Sequence, residues 1–170
     1  MPDTIAAEFI EQSIFRIEEN TPRIYKCLEQ LTEEETWMRP NATSNSIGNL
    51  ILHLCGNIRQ YAISSLGGVA DVRERDKEFA GTGGYTKQEL LEKLSATVSE
   101  AVTIIRNTDE QSLLQVRSVQ GFTFSGIGII IHVTEHYSYH TGQIAFQTKM
   151  LRAKDLGFYA NTDLNIKNIQ

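Results

Sequence analysis

Apolar positions recur at helical spacing over four long stretches of the chain. In the first, from about Thr4 to Gln30, Ile10, Ile17, Ile24 and Leu31 repeat every seven residues, with Ile14 and Leu28 between them. Pro22 falls inside this stretch and predicts a kink, because it lacks an N–H and clashes with the preceding turn. The second stretch, about Ser46 to Leu66, presents Ile47, Leu50, Ile51, Leu54 and Ile58. The third opens at Thr86, which forms a candidate capping box with Glu89, and carries Leu91, Leu94, Val98, Val102 and Ile105 to about Asn107. Ser125 can cap the fourth, which runs to about Leu151 and ends among Lys149, Arg152 and Lys154, cations that complement the helix dipole.

The connections carry their own signals. Thr32 and Glu35 form a second candidate capping box before a short helix, and Trp37 and Pro40 then mark a loop. The segment Gly67 to Gly84 is rich in glycine and charge and reads as a long surface connection. VRSVQGFTF, residues 116–124, places β-branched and aromatic residues around a glycine, which suits a small hairpin or an extended loop. The last dozen residues read as a poorly ordered or docked tail.

Four amphipathic helices with little strand signal predict an all-α protein, a four-helix bundle. A helix of about 21 residues spans roughly 32 Å. A connection of about 18 residues extends well beyond that. Helices 2 and 3 can therefore run parallel, joined by a crossover. The 170 residues are expected to form a single helical bundle domain, 1–170, with 155–170 as a C-terminal tail.

Composition narrows the classes. A hydrophobic fraction of 41% with 22% charged residues is that of an ordinary globular protein. No apolar run approaches the roughly 20 residues of a membrane span, and MPDTIAAEF lacks the basic start and apolar middle of a signal peptide. The two cysteines, Cys27 and Cys55, form no CxxC pair, so reduced buried thiols and a cytoplasmic location are expected. A net charge of −5 argues against a nucleic-acid partner. Arg73, Arg75 and Lys77 alternate with Glu74, Asp76 and Glu78, a mixture that reads as solvated surface.

Histidine carries the candidate chemistry. Three of the four histidines, His132, His136 and His140, are spaced four apart and share one face of the fourth helix. His53 sits in the second helix, in a polar strip with Asn49, Gly56, Asn57 and Gln60, where Gly56 leaves room beside it. One histidine from helix 2 and two from helix 4 would give three nitrogen ligands and an open position, the form of a catalytic metal site. Spacing alone cannot choose between the pairs His132/His136 and His136/His140. The glutamate of HExxH is missing around His136, and no Ser–His–Asp pattern, phosphate loop or dinucleotide fingerprint is present. Cys55 lies about 200° round the helix from His53 and should face the core. Tyr137 and Tyr139 lie near the cluster, and Trp37 reads as an anchor for the first connection.

NSIGNLILHLCGNIRQY (45–61) and HVTEHYSYHTGQI (132–144) resemble the DinB/YfiT-like metalloprotein superfamily, in particular an uncharacterised DinB-like branch; WMRP, RERDKEF and KDLGFY are similar to that branch as well. The resemblance covers nearly the whole chain. It implies an up-down-down-up four-helix bundle with a long connection after helix 2. It also implies a divalent transition metal, zinc or nickel, with manganese or iron as further candidates, held by His53, His136 and His140. His132 matches a position that is often histidine in the superfamily without being a ligand. Some members transfer electrophiles to low-molecular-weight thiols such as bacillithiol or mycothiol, so the resemblance implies a small-molecule thiol substrate and a homodimer. The alternative is a non-catalytic, stress-related bundle that binds metal or a small ligand.

Overall fold

A computed structural model of the chain describes residues 4–168; the first three residues and the last two of the expected tail lie outside them. Three local signals are realised as side-chain caps, and Ser46 adds another that the sequence reading did not name. Thr32 and Glu35 close a capping box on α3 (Glu33–Trp37), and Thr86 and Glu89 close one on α6 (Lys87–Arg106). Ser46 and Asn49 close a third on α4 (Ile47–Ile58), and Ser125 accepts from Gly128 N at the start of α8 (Gly126–Arg152). Each cap satisfies amide donors that the first turn leaves free.

The expected kink in helix 1 is a break. α1 (Ile5–Glu18) ends, and α2 (Thr21–Glu29) begins after Glu19–Asn20. Pro22 lies in the first turn of α2, where its missing N–H costs nothing, so the chain restarts instead of bending. Helix 2 departs from regularity too. Beyond Ile58 it continues as a π-helix, Arg59–Leu66, whose wider turns bring Tyr61, Ala62 and Ile63 into the core in succession.

The connections contain more structure than their composition predicts. α5 (Arg75–Ala80) interrupts the crossover, and α7 (Glu110–Leu114) precedes the hairpin β1 (Val116–Val119) and β2 (Phe122–Ser125). The hairpin pairs Val116 with Ser125 and Val119 with Phe122. Its turn residues Gln120 and Gly121 have φ of 53° and 81°, the two left-handed positions of a tight hairpin turn. The tail is docked at its start: Leu156 is buried, Lys26 Nζ donates to Gly157 O, and Arg23 Nη2 donates to the Tyr159 hydroxyl.

Each long helix packs on two others. α4 packs on α6 and α8, and α1 packs on the same two. The apolar stripes read from the sequence all meet between them: Ile10, Ile14, Ile17, Ile24, Leu54, Ile58, Leu94 and Ile105 are buried in one core. Across α4 and α8 the contacts reverse along the chain, His53 meeting His136 and Asn57 meeting His132, so these helices are antiparallel. Arg59 bonds Glu100, and Cys55 lies by Thr97, so α4 and α6 run in the same direction. The crossover that joins them packs α5 on α4, beside His53.

Candidate metal centre

α4 and α8 bring His53, His136 and His140 together, with one candidate ligand nitrogen of each within 4.8 Å of the others. His53 and His140 are buried and His136 is half-buried. The Nε2 atoms of His53 and His136 are 3.0 Å apart. Two nitrogens bound tetrahedrally to one zinc ion at about 2.0–2.1 Å stand roughly 3.4 Å apart, so the observed separation is close to that of a shared ion.

The far side of two rings is tied down. His53 Nδ1 lies 2.9 Å from Glu78 Oε2; an ionised carboxylate only accepts, so Nδ1 carries the hydrogen and Nε2 is left as a lone pair facing His136. His140 Nδ1 donates in the same way to Gln143 Oε1 at 2.7 Å, which frees its Nε2. Orienting hydrogen bonds of this kind fix the tautomer and raise the basicity of a ligand imidazole. Protonation opposes metal uptake, and here it is suppressed. Burial, followed by the neighbouring histidines His140 and His53, lowers His136 to about 3. Burial lowers His140 to about 4, against the opposing bond to Gln143. Neutral imidazoles are a fitting donor set for a divalent transition metal.

The sequence reading missed Glu78 and Arg73, the groups behind His53. They belong to the charge-alternating run taken above for solvated surface, yet their side chains are 9% and 3% exposed. Arg73 Nε donates to Glu78 Oε1 at 2.8 Å and Nη2 to Oε2 at 2.9 Å, while Nη1 donates to Gln60 Oε1. Nη2 also lies 3.2 Å from His53 Nδ1, but both are donors, so its hydrogen goes to the carboxylate. Burial pushes the Glu78 carboxyl up; the hydrogen bonds from Arg73 and His53 and the Arg73 charge outweigh it and hold the group below the usual carboxylate range.

α4 is shaped to receive this pair. The space beside Gly56 is occupied by Glu78: a Cβ on Gly56 would stand 1.9 Å from Oε1. Two turns earlier Asn49 Nδ2 donates to Glu78 O at 3.0 Å and to Gly81 O at 2.7 Å, pinning α5 to the helix. The ring of Phe79 covers His53 with centroids 4.7 Å apart. The polar strip Asn49, Gly56, Gln60 thus seats the crossover against His53. The gap at Gly56 was the available signal for a buried partner.

The other residues singled out divide clearly. His132 lies one turn before His136, stacks on Tyr61 with centroids 4.0 Å apart, and accepts from Asn57 Nδ2 at 3.1 Å; it is not part of the three-histidine group. Cys55 points into the core, where burial pushes its thiol up to about 12. Cys27 is buried and likewise raised by burial. Tyr137 is buried with its hydroxyl on Thr21, while Tyr139 is exposed beside His140. Trp37 is an anchor as expected: Nε1 donates to Tyr85 O, and its ring lies over Gly48.

The bundle has the fold of DinB-like proteins of known structure. Three solved structures have this fold. A conserved protein from Enterococcus faecalis matches with a TM-score of 0.74 at 16% identity, covering 85% of this chain and 97% of that one. The DinB-like protein YjoA of Bacillus subtilis matches at 0.65 and 17%, covering 85% and 94%. A DinB-like protein of Bacillus cereus matches at 0.65 and 14%, covering 85% and 91%. No curated protein matches the chain. The sequence profile of a family described as a protein of unknown function, DUF1572, matches residues 4–160, and the chain belongs to that family. No helix among the described residues is long and apolar enough to cross a membrane.

Proposed function

We propose that this protein is a metal-dependent enzyme in which His53, His136 and His140 hold one divalent transition-metal ion, zinc or nickel before manganese or iron. One observation carries the reading: two rings are locked with Nε2 free, and the third Nε2 stands 3.0 Å from the first. Three protein ligands leave a position open, as in catalytic rather than structural zinc sites. A divalent ion bound there supplies Lewis acidity, lowering the pKa of a thiol or water presented to it.

The chain's own residues orient and protect. Glu78 and Gln143 hold two rings in the ligand tautomer, Arg73 keeps Glu78 ionised, and burial keeps His136 and His140 neutral. Cys55 is no nucleophile, since its thiol is buried and held near 12. We assign as the reaction class the transfer of an electrophilic group to a small thiol. The thiol loses its proton, the sulfur–carbon bond forms, and the bond to the leaving group breaks, with the electron pair and a proton passing to the leaving group. The superfamily resemblance supports this class and a homodimeric assembly.

The test is metal analysis of untagged protein, with His140→Ala as control. About one ion per chain is expected in the wild type and a large loss in the variant. A wild type that is metal-free and takes up none of zinc, nickel, manganese or iron overturns the proposal. Metal-loaded protein should then turn over a panel of electrophiles only when a thiol is supplied. No thiol-dependent turnover would assign a non-catalytic metal-binding role instead.

A further inference from the structure

A groove of about 690 Å³ runs between residues 40–45 and the outer face of α8. That is a volume suited to a small organic molecule. Its near end abuts His140, at the Nδ1 edge of the ring. The Tyr139 ring lies 4.9 Å from that of His140, and Gln143 is the residue bonded to His140 Nδ1. We propose that this groove binds the substrate body of the metal site, and that this body is an uncharged molecule with an aromatic or alkyl arm and neutral carbonyl or amide oxygens. The proposal rests on the metal reading above and names the substrate class for it.

Three observations support that chemistry. Among the described residues no Asp, Glu, Lys, Arg or His lines the groove. A carboxylate or ammonium entering it would shed water and meet no counter-charge. The apolar wall is unusually exposed: Tyr139, Phe146 and Met150 are 61%, 66% and 64% exposed along one face of α8. The polar wall offers donors. Gln143 Oε1 is taken by His140 and Asn41 Oδ1 by Thr43 and Ser44, so the NH₂ groups of these two amides remain to donate, without a partner among the described residues.

Gly142 is the most telling lining residue. It lies inside the 27-residue α8, between Tyr139 and Phe146. Glycine in a helix interior costs about 1 kcal/mol relative to alanine. Gly48 and Gly56 have a reason within the chain, because Trp37 and Glu78 fill their space. A Cβ at Gly142 would meet nothing within 4 Å among the described residues. The room it leaves opens to the groove, where it forms the floor between the two exposed rings.

The experiment uses hydroxamic acids on zinc-loaded protein, with calorimetry as readout. Acetohydroxamic acid probes the metal alone, 4-phenylbutanohydroxamic acid adds a neutral aromatic arm, and glutaric acid monohydroxamate adds a carboxylate arm. The phenyl arm should bind at least tenfold tighter than acetohydroxamic acid, and the carboxylate arm no tighter. Gly142→Leu should abolish the tenfold gain while leaving zinc and acetohydroxamic acid binding unchanged. Equal affinity for both arms, or an undiminished gain in Gly142→Leu, would overturn the proposal. A change of oligomeric state in Gly142→Leu would do the same, by assigning the face to a second copy of the chain. Metal-free protein provides the separate check: 4-phenylbutanamide should shift the backbone amide resonances of Gly142, Gln143 and Phe146. Absent shifts overturn the groove even where zinc binds, and present shifts with no zinc uptake overturn the metal reading together with the groove's role as its substrate site.

Discussion

Replacing Gly56 by alanine sets two effects of opposite sign against each other. On an isolated helix the change is favourable by about 1 kcal/mol, since alanine loses less backbone entropy. In the folded protein the new Cβ would stand 1.9 Å from Glu78 Oε1, 2.6 Å from its Cδ and 3.0 Å from Arg73 Nε. Ordinary contact begins at 3.4 Å, so the carboxylate must retreat by about 1.5 Å. Its bonds from Arg73 and His53, now 2.8–2.9 Å, do not survive that displacement. Breaking a buried charged pair costs about 3–5 kcal/mol. The expected net result is a loss of about 2–4 kcal/mol once the helix gain is subtracted. The same displacement unties His53 Nδ1, and loss of such an orienting partner lowers metal affinity about 10–100-fold. Urea unfolding of chelator-treated protein measures the first quantity, and zinc competition against a chromophoric chelator the second. A Gly56→Ala variant that is more stable than wild type and binds zinc equally well would refute the role given to Glu78.

Other outcomes follow from the same contacts. Glu78→Gln keeps an oxygen for His53 but removes the charge beside Arg73; zinc affinity should fall about 10–100-fold, read by the same competition. Ellman's reagent at pH 8 should leave native protein unlabelled and react with both cysteines in guanidinium, because a thiol near 12 is roughly 10⁻⁴ ionised there; rapid native labelling would place Cys55 outside the core. Gly48→Ala drives a Cβ to 2.8–3.0 Å from the Trp37 ring, so overpacking should cost about 1–3 kcal/mol. The single tryptophan reports it directly as a shift in fluorescence and in Tm.

The sequence by itself determined the helices, their buried stripes and their starts, because these depend on residues within a few positions of one another. The repeats of Ile10 to Leu31 and Ile47 to Ile58, and the Thr32, Thr86 and Ser125 caps, are short-range patterns that tertiary packing completes without altering. The site was half visible on the same basis. Helical spacing put His136 and His140 on one face, but the choice between that pair and His132/His136 depends on where α4 lies against α8. The packing brings His136 and His140 to His53, setting His53 opposite His136 and Asn57 opposite His132. Glu78 and Arg73 were not legible. An alternating run of charges has the same local pattern whether it is solvated or folded inward, and burial becomes affordable only when opposite charges and His53 meet in three dimensions. The gap at Gly56 recorded that meeting in the sequence, and the crossover that fills it is a tertiary decision.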